Sequence, residues 1–166
     1  EKIELIEKPF SDCKNWNKGN FYGLDDKEIK DALIDYRINV LKHYGFEDFL
    51  KTKTNDPEKI KSIILDQALG WANHFDPNSL IILRRANYNS SALKKLENIK
   101  IPILKVLAKT DKVTNMDKGY ETVEYFKSLK IRYKFLALHT DYGHYGPMCE
   151  SNEWSEELKK FLDNTI

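Results

Sequence analysis

The amino-acid sequence predicts an α/β fold in which a helical domain precedes a parallel strand–helix–strand–helix unit. Residues 25–96 follow a helical spacing of apolar residues almost throughout, whereas residues 99–166 alternate two short apolar runs with two amphipathic stretches. A strand–helix–strand order with a long connection implies that the two strands are parallel. We therefore divide the chain into a connection (1–24), a helical domain (25–98) and an α/β part (99–166).

Three predicted helices account for most of the helical domain. Asp25 or Asp26 can cap the first helix, which is expected to end near Gly45. The next two helices are expected to start at Asp-Pro pairs. An aspartate side chain accepts backbone N–H bonds at an N-cap, and proline loses no hydrogen bond at the first helical position. These pairs are Asp56-Pro57 and Asp76-Pro77.

The α/β part contains two apolar runs of strand length, IPILKVLA (101–108) and YKFLAL (133–138). Helices are predicted between them, over 117–130, and after them, over 153–162. Parallel sheets are usually larger than two strands, so we expect residues outside this chain to complete the sheet. The helical spacing predicts that the first of these helices buries four side chains, Tyr120, Val123, Phe126 and Leu129. It places Trp154, Leu158, Phe161 and Leu162 on one face of the last helix.

The composition is typical of a soluble protein and excludes several classes. With 27 basic and 26 acidic side chains, the chain lacks the basic footprint of a nucleic-acid binder. No apolar run approaches the roughly 20 residues of a membrane span, and the N-terminus does not have the pattern of a signal peptide. Two cysteines are too few for a disulfide framework. We expect a cytoplasmic protein without nucleic-acid or membrane partners. The start at Glu1 favours a fragment, a processed chain or a trimmed chain.

The polar segments that follow the two strands carry the candidate site. Ligands of open parallel sheets bind beyond the carboxyl ends of the strands, where KTDKV (109–113) and HTDYGHYG (139–146) fall. Adjacent parallel strands would bring Asp111 and His144 to the same edge. A carboxylate that orients a histidine acting as general base is the second half of a nucleophilic triad. Asp111 and His144 are therefore the candidate catalytic residues.

Two other interpretations of this segment are weaker. His139 ends a strand and fits a packed or solvent-facing side chain better than the partner of Asp111. His139, Asp141 and His144 have the side-chain types of metal ligands, but no second cluster supports a metal site. We therefore expect neither a metal nor an organic cofactor.

The order strand, Asp, helix, strand, Gly-His and amphipathic helix resembles the end of an α/β-hydrolase, whose triad runs Ser, Asp, His along the chain. Three segments are similar to the homoserine O-acetyltransferase-like branch of that superfamily. They are SDCKNWNKGNFY (11–22), HFDPNSLIILRRA (74–86) and IPILKVLAKTDKVTN (101–115). The resemblance implies the C-terminal part of an α/β-hydrolase fold, with residues 25–98 as its helical cap.

The resemblance also implies acyl transfer or ester hydrolysis by a serine nucleophile, with Asp111 and His144 as the acid and the base of the triad. No Gly-x-Ser-x-Gly segment occurs in the chain, so the nucleophile is expected upstream of residue 1 and this chain alone is expected to be inactive. Tyr145 stands where the acetyltransferases have an aspartate that helps to bind the homoserine amine. Tyr145 is therefore a candidate substrate-binding residue, and an acceptor other than homoserine is left open.

The implied partners follow from this chemistry. They are a small-molecule acyl substrate, acetyl-CoA as a co-substrate if acetyl is transferred, and the N-terminal half of the same enzyme; a homodimer is left open. The alternative is a non-catalytic protein, either a helical interaction module or a degenerate hydrolase kept for binding. The residues upstream of Glu1 would discriminate the two, since only an enzyme needs a nucleophile there.

Overall fold

The structure, a computed structural model, describes residues 4–164 and, apart from positions 4, 5, 93 and 94, their side chains. Within this range the predicted fold class is confirmed, because the elements are mostly helices with one small parallel sheet of two strands. The elements are α1 (Glu4–Ser11), α2 (Lys27–His43), α3 (Phe46–Lys51), α4 (Pro57–Ala72), α5 (Pro77–Asn89), β1 (Ile103–Ala108), α6 (Met116–Ser128), β2 (Tyr133–Leu138), α7 (Gly146–Cys149) and α8 (Asn152–Asp163). Short 3-10 turns lie at Asn17–Gly19, Leu93–Asn98 and Gly143–Tyr145.

Local side chains determine where α4 and α5 begin. Asp56 accepts hydrogen bonds from two backbone N–H groups in the first turn of α4, at 3.0 and 3.2 Å. Asp76 accepts one from the backbone N–H of Ser79, at 2.7 Å. Both predicted Asp-Pro starts are confirmed. Three helices were not predicted: α1 contains Pro9, and α3 and α7 have only six and four residues, too few for a periodic pattern.

The described chain divides into two compact units. The first unit extends to Leu41 and resumes over Asp56–Ser91, and its core is a cluster of aromatic and aliphatic side chains. The buried members are Phe10, Trp16, Phe21, Ile29, Leu33, Ala72, Leu80 and Ile81. The second unit combines Lys42–Asn55 with the chain from Ala92 onwards, and it contains the sheet. The division into a connection, a cap and an α/β part stays a prediction.

Two of the segments that carry the family resemblance contact each other in the first unit. The side-chain amide of Asn78 donates to the Gly19 carbonyl at 2.7 Å and to the Tyr22 hydroxyl at 3.0 Å. That hydroxyl in turn donates to Asp76 at 3.0 Å. Gly19 has a φ of +90°, and a Cβ there would lie 2.6 Å from Asn78 Oδ1. The close approach explains the glycine in this segment, because a side chain would displace the asparagine.

Helices lie against both faces of the two-stranded sheet in the second unit. Leu107 and Phe135 are on the face that α6 covers, where a Cβ on Gly119 would lie 2.8 Å from Leu107 Cδ2. Lys134 points to the opposite face and pairs with Glu157 of α8. Side chains of adjacent strand residues alternate between the faces, which accounts for this division.

One of the four side chains that α6 was predicted to bury is exposed. Tyr120 is 51% exposed, so the prediction is wrong for this residue. Val123 and Phe126 are buried, as predicted. Neighbouring strands lie about 4.8 Å apart and a helix is about 10 Å across, so two strands cover only part of a helix's apolar face. Leu129 is half-buried. On the apolar face of α8, Trp154, Leu158 and Phe161 are half-buried and Leu162 is 48% exposed.

Candidate active site

The register of the two strands brings the polar loops to the same level. β1 and β2 pair in parallel from Ile103 opposite Tyr133 to Ala108 opposite Leu138. One further bond, from the Lys109 N–H to the Leu138 carbonyl at 3.0 Å, extends the pairing past the end of β1. Both loops therefore leave the sheet at its carboxyl edge, as the sequence predicted.

The carboxylate of Asp111 is buried and held by its own loop. Its Oδ1 accepts hydrogen bonds from the backbone N–H groups of Val113 and Thr114, at 2.7 and 3.0 Å. Its side chain is only 3% exposed. These bonds fix the carboxylate within a tight turn and leave Oδ2 directed at the neighbouring loop.

His144 meets that second oxygen. Its Nδ1 lies 2.9 Å from Asp111 Oδ2, so the predicted hydrogen-bond distance between the two residues is confirmed. An ionised carboxylate only accepts hydrogen bonds, so Nδ1 carries the proton and Nε2 is the basic nitrogen. The His144 side chain is 41% exposed at the surface of the described residues, so another group can reach it. The catalytic roles of both residues stay a prediction.

Two threonines that the sequence did not single out connect the loops. The hydroxyl of Thr110 donates to the Thr140 carbonyl at 2.6 Å and accepts from the Gly143 N–H at 3.1 Å. The Thr140 hydroxyl accepts from the Tyr142 N–H at 3.2 Å. Thr110, which precedes Asp111, is therefore bound directly to Gly143, which precedes His144. No sequence signal marks this link, because threonine is common at the ends of strands.

Aromatic rings flank His144 on the side of the α2–α3 connection. The ring of Tyr44 lies 4.8 Å from the His144 ring, centroid to centroid, and 6.4 Å from the ring of Tyr145. Phe46 lies 5.3 Å from Tyr145. Tyr145 is half-buried within this group. Its role in binding substrate stays a prediction.

The remaining histidine of the segment lies apart from the pair. His139 Nε2 is 2.7 Å from Lys109 Nζ, whereas the Asp111 side chain forms hydrogen bonds with Val113, Thr114 and His144. The expectation that His139 is not the partner of Asp111 is confirmed. Within residues 4–164, no group of three or more histidine, cysteine or carboxylate side chains is arranged to hold a metal ion. No helix in that range has the length and apolar character needed to cross a membrane.

Solved structures identify the class of fold. The chain is similar to the crystal structure of esterase E22, with a TM-score of 0.72 and 17% identity over 96% of this chain and 49% of that one. It is also similar to homoserine O-acetyltransferase from Bacillus anthracis, with a TM-score of 0.71 and 14% identity over 99% of this chain and 48% of that one. The fold is that of the C-terminal part of an α/β-hydrolase.

The amino-acid sequence agrees with this fold. It is 26% identical, over 185 aligned positions, to a homoserine O-acetyltransferase of Methanohalobium evestigatum, across 99% of this chain and 36% of that protein. No protein-family model matches the chain. The predicted resemblance to homoserine O-acetyltransferases is therefore confirmed, and the chain spans about a third of that curated relative and about half of the solved structures.

Proposed function

We propose that residues 1–166 are the C-terminal portion of a serine-nucleophile enzyme that transfers an acyl group or hydrolyses an ester. One observation carries the proposal. Asp111, buried and already bound by two backbone N–H groups, accepts a further hydrogen bond from His144 Nδ1 at 2.9 Å. A carboxylate held in this way keeps the imidazole in one tautomer and one orientation, as a general base requires.

In the proposed reaction, His144 takes up one proton and releases it again in each half-cycle. His144 Nε2 takes the proton of the serine hydroxyl while its oxygen bonds to the acyl carbonyl carbon. Asp111 stabilises the imidazolium that results. The imidazolium then returns the proton to the leaving alcohol or thiol, and an acyl-serine remains. An acceptor hydroxyl or water repeats the steps in reverse, which restores the free serine.

The other participants follow from this chemistry. We place the serine outside residues 1–166, in the N-terminal half of the same enzyme, because the chain has no Gly-x-Ser-x-Gly segment. Acetyl-CoA is the co-substrate if acetyl is transferred. Tyr145 is proposed to contact the acceptor, since it directly follows His144. Both cysteines are unpaired, in keeping with a cytoplasmic protein.

The test compares two lengths of the protein. Residues 1–166 alone should show no hydrolysis of an acetyl ester above buffer, because no acyl-serine can form. The full-length protein should turn the ester over and react with a fluorophosphonate probe, and His144→Ala should lose turnover.

Two outcomes would contradict the proposal. Turnover by residues 1–166 that disappears in His144→Ala would place a nucleophile inside this chain. A full-length protein that neither turns over the ester nor reacts with the probe would favour a non-catalytic binding protein.

A further inference from the structure

The connection between α2 and α3 lies directly against the loop that carries His144. The backbone N–H of His144 donates to the Tyr44 carbonyl at 3.1 Å. Both residues belong to the second compact unit, although Tyr44 falls within the stretch predicted as the cap. The main chain of His144 is therefore anchored by a segment far from it in sequence.

Two glycines allow this approach. Gly45 has a φ of +89°, and a Cβ there would lie 2.9 Å from the Tyr142 carbonyl oxygen. Gly143 has a φ of +55°, and a Cβ there would lie 3.1 Å from the Tyr44 carbonyl oxygen. Each glycine thus has a left-handed conformation, and the backbone of the other loop occupies the space that a side chain would need. The two loops pack backbone to backbone beside His144.

The Tyr44 side chain adds a second restraint, on the imidazole itself. Its ring centroid lies 4.8 Å from that of His144, at an interplanar angle of 57°. Aromatic pairs in this distance range attract each other in tilted arrangements. Asp111 holds Nδ1 but leaves the imidazole free to swing about that single hydrogen bond. A ring on one side removes that freedom.

The Tyr44 ring is itself held in place. It lies 6.4 Å from the ring of Tyr145, which contacts Phe46 at 5.3 Å. Tyr44 and these two neighbours are half-buried. A ring supported in this way keeps its position when the imidazole moves.

We infer that Tyr44 is a positioning residue for His144, which sets the direction in which Nε2 points while Asp111 sets the tautomer. The inference rests on the proposed function for its catalytic consequence, although the restraint on the imidazole can be measured without it. The relevant contact is the aromatic face, so a phenylalanine should replace Tyr44 and a smaller side chain should not.

The experiment uses the full-length protein in four forms: wild type, Tyr44→Phe, Tyr44→Ala and Phe49→Ala. Phe49 is the matched control, because it is a half-buried ring of α3 that contacts Phe46 and Tyr142 but is not paired with His144. The first readout is the NMR resonance of the His144 Nδ1–H proton, assigned by its absence in His144→Gln. The second is the separation of kcat from KM for ester hydrolysis.

Wild type, Tyr44→Phe and Phe49→Ala should all show the proton resonance. Tyr44→Ala should broaden or lose it and lower kcat by about 10- to 100-fold, with KM changed little, because a small misorientation of a catalytic group acts on the chemical step. A Tyr44→Ala protein that keeps both the resonance and kcat would overturn the inference. Equal losses in Phe49→Ala would do so too, since they would indicate general damage.

The two proposals fail separately. If the resonance depends on Tyr44 as expected but no form of the protein turns over an ester, the proposed function fails and the positioning of the imidazole stands.

Discussion

Replacing Asp111 with asparagine keeps the shape of the side chain and reverses one hydrogen bond. The asparagine Oδ1 can still accept from the backbone N–H groups of Val113 and Thr114. Its Nδ2 then faces His144 Nδ1, where the carboxylate oxygen was 2.9 Å away. Two donors cannot bond each other, so the imidazole has to move its proton to Nε2.

The expected loss of turnover is large, because an imidazole protonated at Nε2 cannot accept the serine proton. We expect kcat to fall on the order of 10⁴-fold in Asp111→Asn. The free energy of unfolding should change little, since the two backbone bonds survive. Asp111→Ala removes the acceptor of both backbone N–H groups as well. Each unsatisfied buried donor costs about 1–3 kcal/mol, so Asp111→Ala should be less stable than Asp111→Asn by about 2–6 kcal/mol.

The assay pairs steady-state ester hydrolysis by the full-length protein with urea unfolding of the same preparations. Asp111→Asn and Asp111→Ala should be almost equally inactive but differ in stability. An Asp111→Asn protein that keeps more than about a tenth of the wild-type kcat would refute the assigned tautomer. Equal unfolding free energies for the two variants would refute the role given to Oδ1.

Three further predictions concern stability and ionisation. Gly70→Ala should stabilise the protein by about 0.5–1 kcal/mol, because a Cβ at this position of α4 would meet open space. Gly119→Ala should stabilise it less or destabilise it, because the added Cβ would crowd Leu107 of the sheet beneath α6. Urea unfolding of both variants measures the difference. Thr110→Val should cost about 1–3 kcal/mol by the same measurement, since it deletes the link between the loops and leaves two backbone groups unpaired. Hydrogen bonds from Lys134, the larger cause, and from Lys160 lower the pKa of Glu157 to about 2. The stabilisation from this carboxylate is therefore present above its ordinary pKa of 4.5 and is lost as the pH falls towards 2. Lys134→Met should raise the pKa of Glu157 in an NMR titration, and an unchanged pKa would contradict the assigned cause.

The features that local sequence determines were predictable. The Asp-Pro starts of α4 and α5 depend on one side chain and the next few backbone N–H groups, so they are visible in the sequence. β2 has the predicted bounds, because YKFLAL is a self-contained apolar run. The approach of His144 to Asp111 followed from a single rule about parallel strands, that their carboxyl ends share an edge.

Features that depend on distant contacts were not predictable. Nothing near Tyr44 in the sequence indicates that its carbonyl bonds the His144 N–H. The sequence around Thr110 likewise gives no sign of its hydrogen bonds, since they join its side chain to backbone groups of another loop. The exposure of Tyr120 depends on how many strands lie beneath α6, which helical periodicity does not report. Periodicity identifies an apolar face but not what covers it.

Because the ends of β1 and β2 are aligned, an insertion or deletion should affect the site differently in the strands than in the crossover between them. Each residue added to a strand advances the chain by about 3.3 Å and turns its side chains to the other face. One extra residue between Ile103 and Asp111, or between Tyr133 and His144, would therefore move one member of the pair out of reach of the other. The crossover through α6 begins and ends outside the paired register, so changes of length there leave that register intact. We expect natural variants and engineered insertions to accumulate around α6 and to be absent from the two strands and their loops.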